Sequence, residues 1–145
     1  MAADPTVLCP SALPHMDGAR VFAVVGGTVE APRADYLEHA VPLTDGMRAL
    51  AHPVDPAEVY RVASPCVEGA CQHFDGGEHI CRLARKTAAL APIVVERLPR
   101  CAIRATCRWW KQEGVSACRR CPQVATLNFQ PGAEMRAAAD PAVEI

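Results

Sequence analysis

The chain has 145 residues and a formal net charge of −1, and half of its residues are apolar although only 5% are aromatic. This length fits one domain with a modest core of small aliphatic side chains. The longest apolar runs are short or broken by proline, which argues against a membrane span, and the first residues lack the basic start and apolar run of a signal peptide. We therefore expect a cytoplasmic protein with no membrane partner.

Charge is segregated along the sequence. Residues 1–81 carry 4 basic and 11 acidic side chains, residues 82–121 carry 10 and 2, and residues 122–145 carry 1 and 3. The basic block coincides with the second half of a cysteine-rich region. Such segregation either helps to orient a charged partner or marks a solvated helix face.

The first third of the chain predicts mostly β-structure. Residues 1–19 look like an irregular leader, and the apolar run 20–25 precedes Gly26-Gly27, which favours a strand and a hairpin turn. Residues 36–43 predict a further strand. Thr44-Asp45 then resembles the N-cap of a helix that ends near Ala51.

Two interpretations stay open for the next segment. Asp55-Pro56 has the form of an N-cap followed by proline in the first helical turn, whereas residues 58–63 alternate like a strand. The sequence alone does not choose between them.

Short helices are predicted in the cysteine-rich region. One covers 78–91 and ends at Pro92, and a second covers about 103–113, where Gly114 suits the C-terminal cap. Ser116 opens a short final turn that carries Cys118 and Cys121. Residues 127–145 look weakly ordered.

Together these elements predict an α+β fold. A β-rich part (20–63) packs on a short-helix, cysteine-ligated, metal-binding part (64–126), and the two form a single domain. The leader 1–19 and the tail 127–145 lie outside it.

Seven of the eight cysteines fall between positions 66 and 121. Thiols in a reducing cytoplasm are more often metal ligands or catalysts than structural disulfides. The spacings are Cys66-x4-Cys71-x9-Cys81 and Cys101-x5-Cys107-x10-Cys118-x2-Cys121-Pro122, with Cys9 far upstream. The second group alone supplies the four thiolates that a metal site needs, and its last pair resembles the end of ferredoxin cluster-binding runs.

Iron–sulfur and zinc are the two metals to weigh. Structural zinc usually takes two short cysteine knuckles, whereas the gaps here are wide and uneven and suit a [4Fe–4S] cluster better. A cluster with four thiolates is an anion, and basic residues surround the second group in sequence; cationic neighbours raise the potential of such a cluster. These residues are Arg100, Arg104, Arg108, Lys111, Arg119 and Arg120. Zinc stays the alternative.

A second cluster would use Cys66, Cys71 and Cys81. Its fourth ligand is Cys9 or, as alternates, His73 or His79, each of which lies within two residues of a cysteine. One cluster or two therefore both remain open.

The block CAIRATCRWWKQEGVSACRRCPQVAT resembles small cysteine-rich iron–sulfur proteins of high-GC bacteria that are loosely described as nitrogen-fixation-related. The resemblance covers at most residues 66–126 and rests on the cysteine pattern and on Cys-Arg-Trp-Trp at 107–110. It implies an iron–sulfur cofactor and no particular activity. Trp109 and Trp110 point about 100° apart on a helix, so one of them can cover the cluster while the other faces elsewhere.

Several functions compete. The leading prediction is a non-enzymatic iron–sulfur protein that exchanges electrons with a partner protein. The alternatives are a regulator that senses oxygen or nitric oxide and whose basic segment binds nucleic acid, an enzyme whose cluster has an open iron, and a zinc-stapled adaptor. The oligomeric state is left open.

Overall fold

In the computed structural model the described residues are 7–28, 32–124 and 132–145, and they form an α+β protein, as the sequence predicts. The strands are β1 (Leu8–Cys9), β2 (Arg20–Gly27), β3 (Pro32–Pro42), β4 (Tyr60–Pro65), β5 (Phe74–Asp75) and β6 (Ile80–Cys81). The α-helices are α1 (Asp45–Ala51), α2 (Pro56–Val59), α3 (Arg82–Leu90), α4 (Arg108–Glu113), α5 (Val115–Cys118) and α6 (Ala133–Ala139). Short 3-10 helices cover Glu68–Ala70, Arg104–Thr106 and Cys121–Gln123.

The main sheet is antiparallel with the strand order β1-β4-β2-β3. Alternate residues of β2 and β4 face opposite sides, because side chains alternate along a strand. Val21 and Val62 pack on the side of α1, whereas Phe22 and Ala63 pack on the cysteine-rich half. All four are fully buried, so the centre of the sheet is covered on both faces.

The leader contributes to this sheet, which the sequence did not predict. Leu8 pairs with Pro65 and Cys9 with Ser64, and the amide of Cys66 donates to the carbonyl of Val7 over 2.9 Å. Leu8 also forms an isolated bridge with Cys107. The β1 strand thus ties the leader to both halves of the molecule.

Local capping fixes the elements between β3 and β4. Thr44 accepts a hydrogen bond from the Met47 amide over 3.2 Å, which confirms the predicted start of α1. Asp55 accepts from the Ala57 amide over 2.8 Å and begins α2, after which the chain enters β4. Both interpretations of this segment are therefore correct, one after the other.

The predicted helices of the cysteine-rich half are shorter than expected. Helix α3 begins only at Arg82, because Ile80 and Cys81 pair with β5 and the Cys81 thiol caps the helix. The predicted helix 103–113 is interrupted at Cys107, whose extended ψ of 125° separates a 3-10 turn from α4. Gly114, with φ +64°, ends α4 as expected.

The predicted weakly ordered tail lies partly outside the described residues. Its described portion contains α6, which packs against α3 and buries Ala138. The helix was not predicted, because its amphipathic pattern is short and its apolar face consists of alanines. Among the described residues, no helix has the length and apolar character needed to cross a bilayer.

Candidate metal centres

The eight cysteines line two neighbouring cavities, four in each. The N-terminal site is the cavity of about 60 Å³ lined by Cys9, Cys66, Cys71 and Cys81. The C-terminal site is the cavity of about 20 Å³ lined by Cys101, Cys107, Cys118 and Cys121. The division is the one that sequence spacing predicts for two sites, and all eight thiols are free.

Four different segments bring the cysteines of the N-terminal site together. Cys9 ends β1 and Cys66 follows β4, so strand pairing holds these two side by side although they are distant in sequence. Cys71 follows the 3-10 helix Glu68–Ala70, and Cys81 ends β6. The rest of the wall is largely apolar, with contributions from Met16, Phe74, Leu83 and Trp109.

The sulfur atoms of the N-terminal site already accept backbone hydrogen bonds. The His73 amide donates to the Cys71 sulfur and the Ala84 amide donates to the Cys81 sulfur, each over 3.4 Å. Burial raises the pKa of the Cys9 thiol to about 12, and the other thiols of the site reinforce the shift. Neutral thiols are therefore favoured until a positively charged metal enters, and metal binding must release protons.

The two alternate histidine ligands lie differently. His73 lines the N-terminal site, its Nδ1 atom is buried without a hydrogen-bond partner, and burial lowers its pKa. His79 instead packs edge-on against Phe74, and its Nε2 atom lies 3.7 Å from the Glu68 carboxylate. Cys9 and His73 both line the cavity and both stay candidates for the fourth ligand, whereas His79 is not among the residues that line it.

The C-terminal site is formed by the turns around α4 and α5. Cys101 precedes the 3-10 helix Arg104–Thr106, Cys107 follows it, Cys118 ends α5, and Cys121 begins the next 3-10 helix. Gly114 allows the sharp turn between α4 and α5, which brings Cys118 back towards Cys107.

The sheet supplies the other wall of the C-terminal site. Phe22 and Tyr36 line the cavity from β2 and β3, and Ile103 and Trp109 line it from the helical side. Burial raises the pKa of the Cys107 thiol to about 12, while the amides of Trp110 and Trp109 oppose that shift. These backbone N–H groups favour the thiolate and so prepare Cys107 to bind a metal.

Arg61 is a buried cation beside the C-terminal site. Its side chain is fully buried, and it donates to the carbonyls of Pro10, Cys121 and Val124 over 2.8–3.0 Å. Within the described ranges no carboxylate pairs with it, and its nearest ionisable neighbours include Cys121, Tyr36 and Cys107. A buried charge is costly unless an opposite charge compensates it, so this arrangement calls for an anion in the cavity.

Buried polar groups lie around the same cavity. Among the described residues, the indole N–H of Trp109 is buried and forms no hydrogen bond, whereas the Tyr36 hydroxyl and the Arg61 guanidinium reach the Cys121 thiol. Burial raises the pKa of Tyr36, with the Cys121 thiol next in importance, so its hydroxyl remains a neutral donor. Buried donors usually have an acceptor, and the sulfur atoms of a bound anionic group would supply several.

A single metal ion needs a tighter group of ligands than a cluster does. In the described part of the chain, no three His, Cys, Asp or Glu side chains form a group that could hold a metal ion. Zinc with its Zn–S bonds of about 2.3 Å needs four sulfur atoms about 3.8 Å apart. In a [4Fe–4S] cluster each thiolate binds a different iron, so the sulfur atoms are farther apart. A zinc ion and a cluster therefore need different spacings of the four thiols of a site.

Sequence reasoning missed the residues that the sheet contributes. Arg61 and Tyr36 lie outside the cysteine-rich region, and only Arg61 carried a signal, since it interrupts an apolar strand. Gln112 was also missed: its side chain accepts from the Cys81 amide and donates to the Cys81 carbonyl, each over 2.8 Å. It joins α4 to the N-terminal site.

Comparison with known proteins adds no identification. The chain matches no protein-family model, no curated protein and no solved structure. Its function is therefore inferred from its own residues.

Proposed function

We propose that each site binds one [4Fe–4S] cluster and that the protein transfers single electrons between partner proteins. The observation that carries this proposal is the division of eight free cysteines between two cavities, four in each. Four cysteine thiolates are the standard ligand set of a [4Fe–4S] cluster. When bound, each cluster would accept and release one electron.

The protein groups around the cavities suit an anionic cofactor. Arg61 supplies buried positive charge and the Trp109 indole N–H supplies a free donor, while the Tyr36 hydroxyl reaches the Cys121 thiol. Hydrogen bonds and cations at a cluster stabilise its more negative, reduced form. Apolar walls exclude water and protect the cluster from hydrolysis. This chain would thus bind, tune and shield the clusters.

The alternatives have less support. Cys9 completes the N-terminal site, which argues against an enzyme with an open iron there. Several arginines of the basic block bind the protein's own groups: Arg108 pairs with Glu68 over 2.8 Å, Arg104 donates to Pro99, and Arg120 donates to Ala91. They are less available for phosphates, so a nucleic-acid-binding regulator is disfavoured. Zinc would have to draw the thiols closer together.

A protein partner is the natural electron donor or acceptor, and free thiols with clusters suit the reducing cytoplasm. The acidic first part and the basic 82–121 block would orient such an encounter, because electrostatic complementarity steers association.

Reversible reduction tests this function. Protein purified without oxygen should be brown, should bleach when dithionite is added, and should recover its absorption on reoxidation. Direct electrochemistry should give a reversible couple. Colourless protein with stoichiometric zinc, or a cluster that cannot be reduced reversibly, would contradict electron transfer.

A further inference from the structure

The two sites share one side chain. Trp109 lines both cavities, only 2% of it is exposed, and it lies on α4 directly after Cys107 and Arg108. Cys107 belongs to the C-terminal site, whereas Arg108 lines the N-terminal site. A single turn of helix therefore forms the wall between the two sites.

The charges at the two sites are unequal. Arg61 at the C-terminal site is fully buried and has no carboxylate partner among the described residues, and Arg104 interacts with the Cys118 thiol. Among the described residues no carboxylate pairs with either arginine, so both positive charges act on the C-terminal site.

Positive charge at the N-terminal site is largely offset. Arg108 lines that cavity, but Glu68 accepts from it over 2.8 Å, and both side chains are nearly buried. Lys86, behind Cys81, donates to the Asp140 carbonyl and is opposed by the Asp140 carboxylate. Arg85 donates to the Glu78 carboxylate, and Arg82, whose bond to the Gln72 carbonyl is exposed, is screened by solvent.

We propose that the two sites form an ordered pair in which an electron crosses the Trp109 wall and settles on the C-terminal cluster, because the uncompensated Arg61 makes that cluster easier to reduce. This inference rests on the proposed function. Each cluster, when bound, would supply one-electron redox chemistry; an electron from a one-electron donor protein would rest on the cluster held by Cys101, Cys107, Cys118 and Cys121, with no bond made or broken.

An EPR-monitored redox titration of the anaerobically purified protein tests the order. We expect two midpoint potentials, and magnetic interaction between the clusters when both are reduced. Replacing one thiolate by serine shifts the potential of the cluster that it binds, so the half-buried pair Cys118→Ser and Cys71→Ser assigns the two midpoints. Cys118→Ser should shift the more positive midpoint, and Cys71→Ser the more negative one.

Variants that change one charge test whether nearby charges cause the difference between the two midpoint potentials. Glu68→Gln removes the partner of Arg108 without disturbing the core, and it should raise the more negative midpoint so that the two approach each other. Arg61→Met should reduce the preference for the C-terminal cluster about tenfold, equivalent to about 59 mV for one electron. Arg61→Lys, which keeps the charge, should change it less. If Arg61→Met does not fold, the midpoint shift in Glu68→Gln still tests whether charge sets the order of the two clusters.

The outcomes separate the two proposals. Protein without iron would overturn the proposed function and this ordering together. Two clusters with the assignment reversed, with equal potentials, or with no magnetic interaction would overturn the ordering alone. Unchanged potentials in Glu68→Gln and in folded Arg61→Met would also overturn it.

Discussion

At the scale of single residues, the two groups of cysteines are expected to act independently. Cys107→Ala should remove about four irons per chain and leave the other four, because it deletes a ligand of the C-terminal site only. Cys81→Ala should do the same for the N-terminal site. Iron and sulfide analysis of both anaerobically purified variants measures how many irons remain per chain.

A neighbouring substitution serves as the control. Thr106→Ser keeps the hydroxyl that donates to the Ile103 carbonyl and should retain all of the iron. Loss of all iron in either cysteine variant, with the fold intact by circular dichroism, would show that the sites are not separate.

Arg61 also holds the fold together. It joins β4 to the leader and to the turn after α5 through three hydrogen bonds to carbonyl groups, and its guanidinium stacks over the Phe22 ring at 5.1 Å. Arg61→Met leaves the Pro10 and Val124 carbonyls without this donor, whereas the Cys121 carbonyl still accepts from the Val124 amide, so we expect a loss of about 3–5 kcal/mol in the free energy of unfolding. Urea denaturation of the metal-free protein measures it. A loss below about 1 kcal/mol would mean that these bonds contribute little.

Cys9 shows what sequence spacing can and cannot predict at this scale. The two groups of cysteines were evident from their separation, yet the fourth ligand of the N-terminal site was not. Cys9 reaches Cys66 because β1 pairs with β4, and a strand of two residues carries no periodic signal. Strand pairing thus places Cys9 in the lining of the N-terminal site, a long-range contact that local pattern does not predict.

At the scale of elements, the turn between α4 and α5 is expected to control the C-terminal site. Gly114 has φ +64° and ψ −143°, a conformation that other residues rarely adopt. Gly114→Ala should cost about 1–3 kcal/mol and displace Cys118 from Cys107. We expect weaker iron retention at the C-terminal site alone, measured as loss of about half of the iron in air.

Gly76→Ala is the matched control. Gly76 has no atom near its would-be Cβ and no positive φ, so stability and iron content should not change. Equal effects of the two variants would remove the special role of Gly114.

Gln112 makes a comparable link to the other site. Its amide holds both backbone groups of Cys81, so Gln112→Ala should cost about 1–3 kcal/mol and speed loss of the N-terminal cluster. Gln112→Glu can still accept from the Cys81 amide but cannot donate to its carbonyl, and should be intermediate. The rate of bleaching in air, compared with wild type, is the measurement. Identical bleaching rates would contradict this positioning role.

Element prediction succeeded where a local signal existed. The strand over 20–25, the Thr44 cap and the Gly114 terminus appeared where expected, whereas Gly26 and Gly27 continue β2 instead of forming the predicted turn. Helix starts failed where a cysteine interrupts the helix, because the extended backbone at Cys107 and the cap at Cys81 serve the cavities and oppose helix propensity. The departures therefore coincide with the candidate sites.

At the scale of the whole molecule, both sites join the sheet to the cysteine-rich half. The N-terminal site takes Cys9 and Cys66 from the sheet, and Tyr36 on the sheet lines the C-terminal site. Metal binding at these sites would therefore be coupled to the packing of the sheet on the cysteine-rich half. We expect removal of iron by a chelator under anaerobic conditions to lower the melting temperature of the protein in a single transition. Two separate transitions, or an unchanged melting temperature, would argue that the clusters do not bridge the halves.

The most direct test of two four-cysteine clusters is analysis of iron, acid-labile sulfide and zinc in one anaerobic sample, with its visible spectrum. We expect brown protein with about eight iron and eight sulfide per chain and no stoichiometric zinc. About four of each would limit the clusters to one site. Colourless protein with bound zinc would contradict the cluster assignment for both sites.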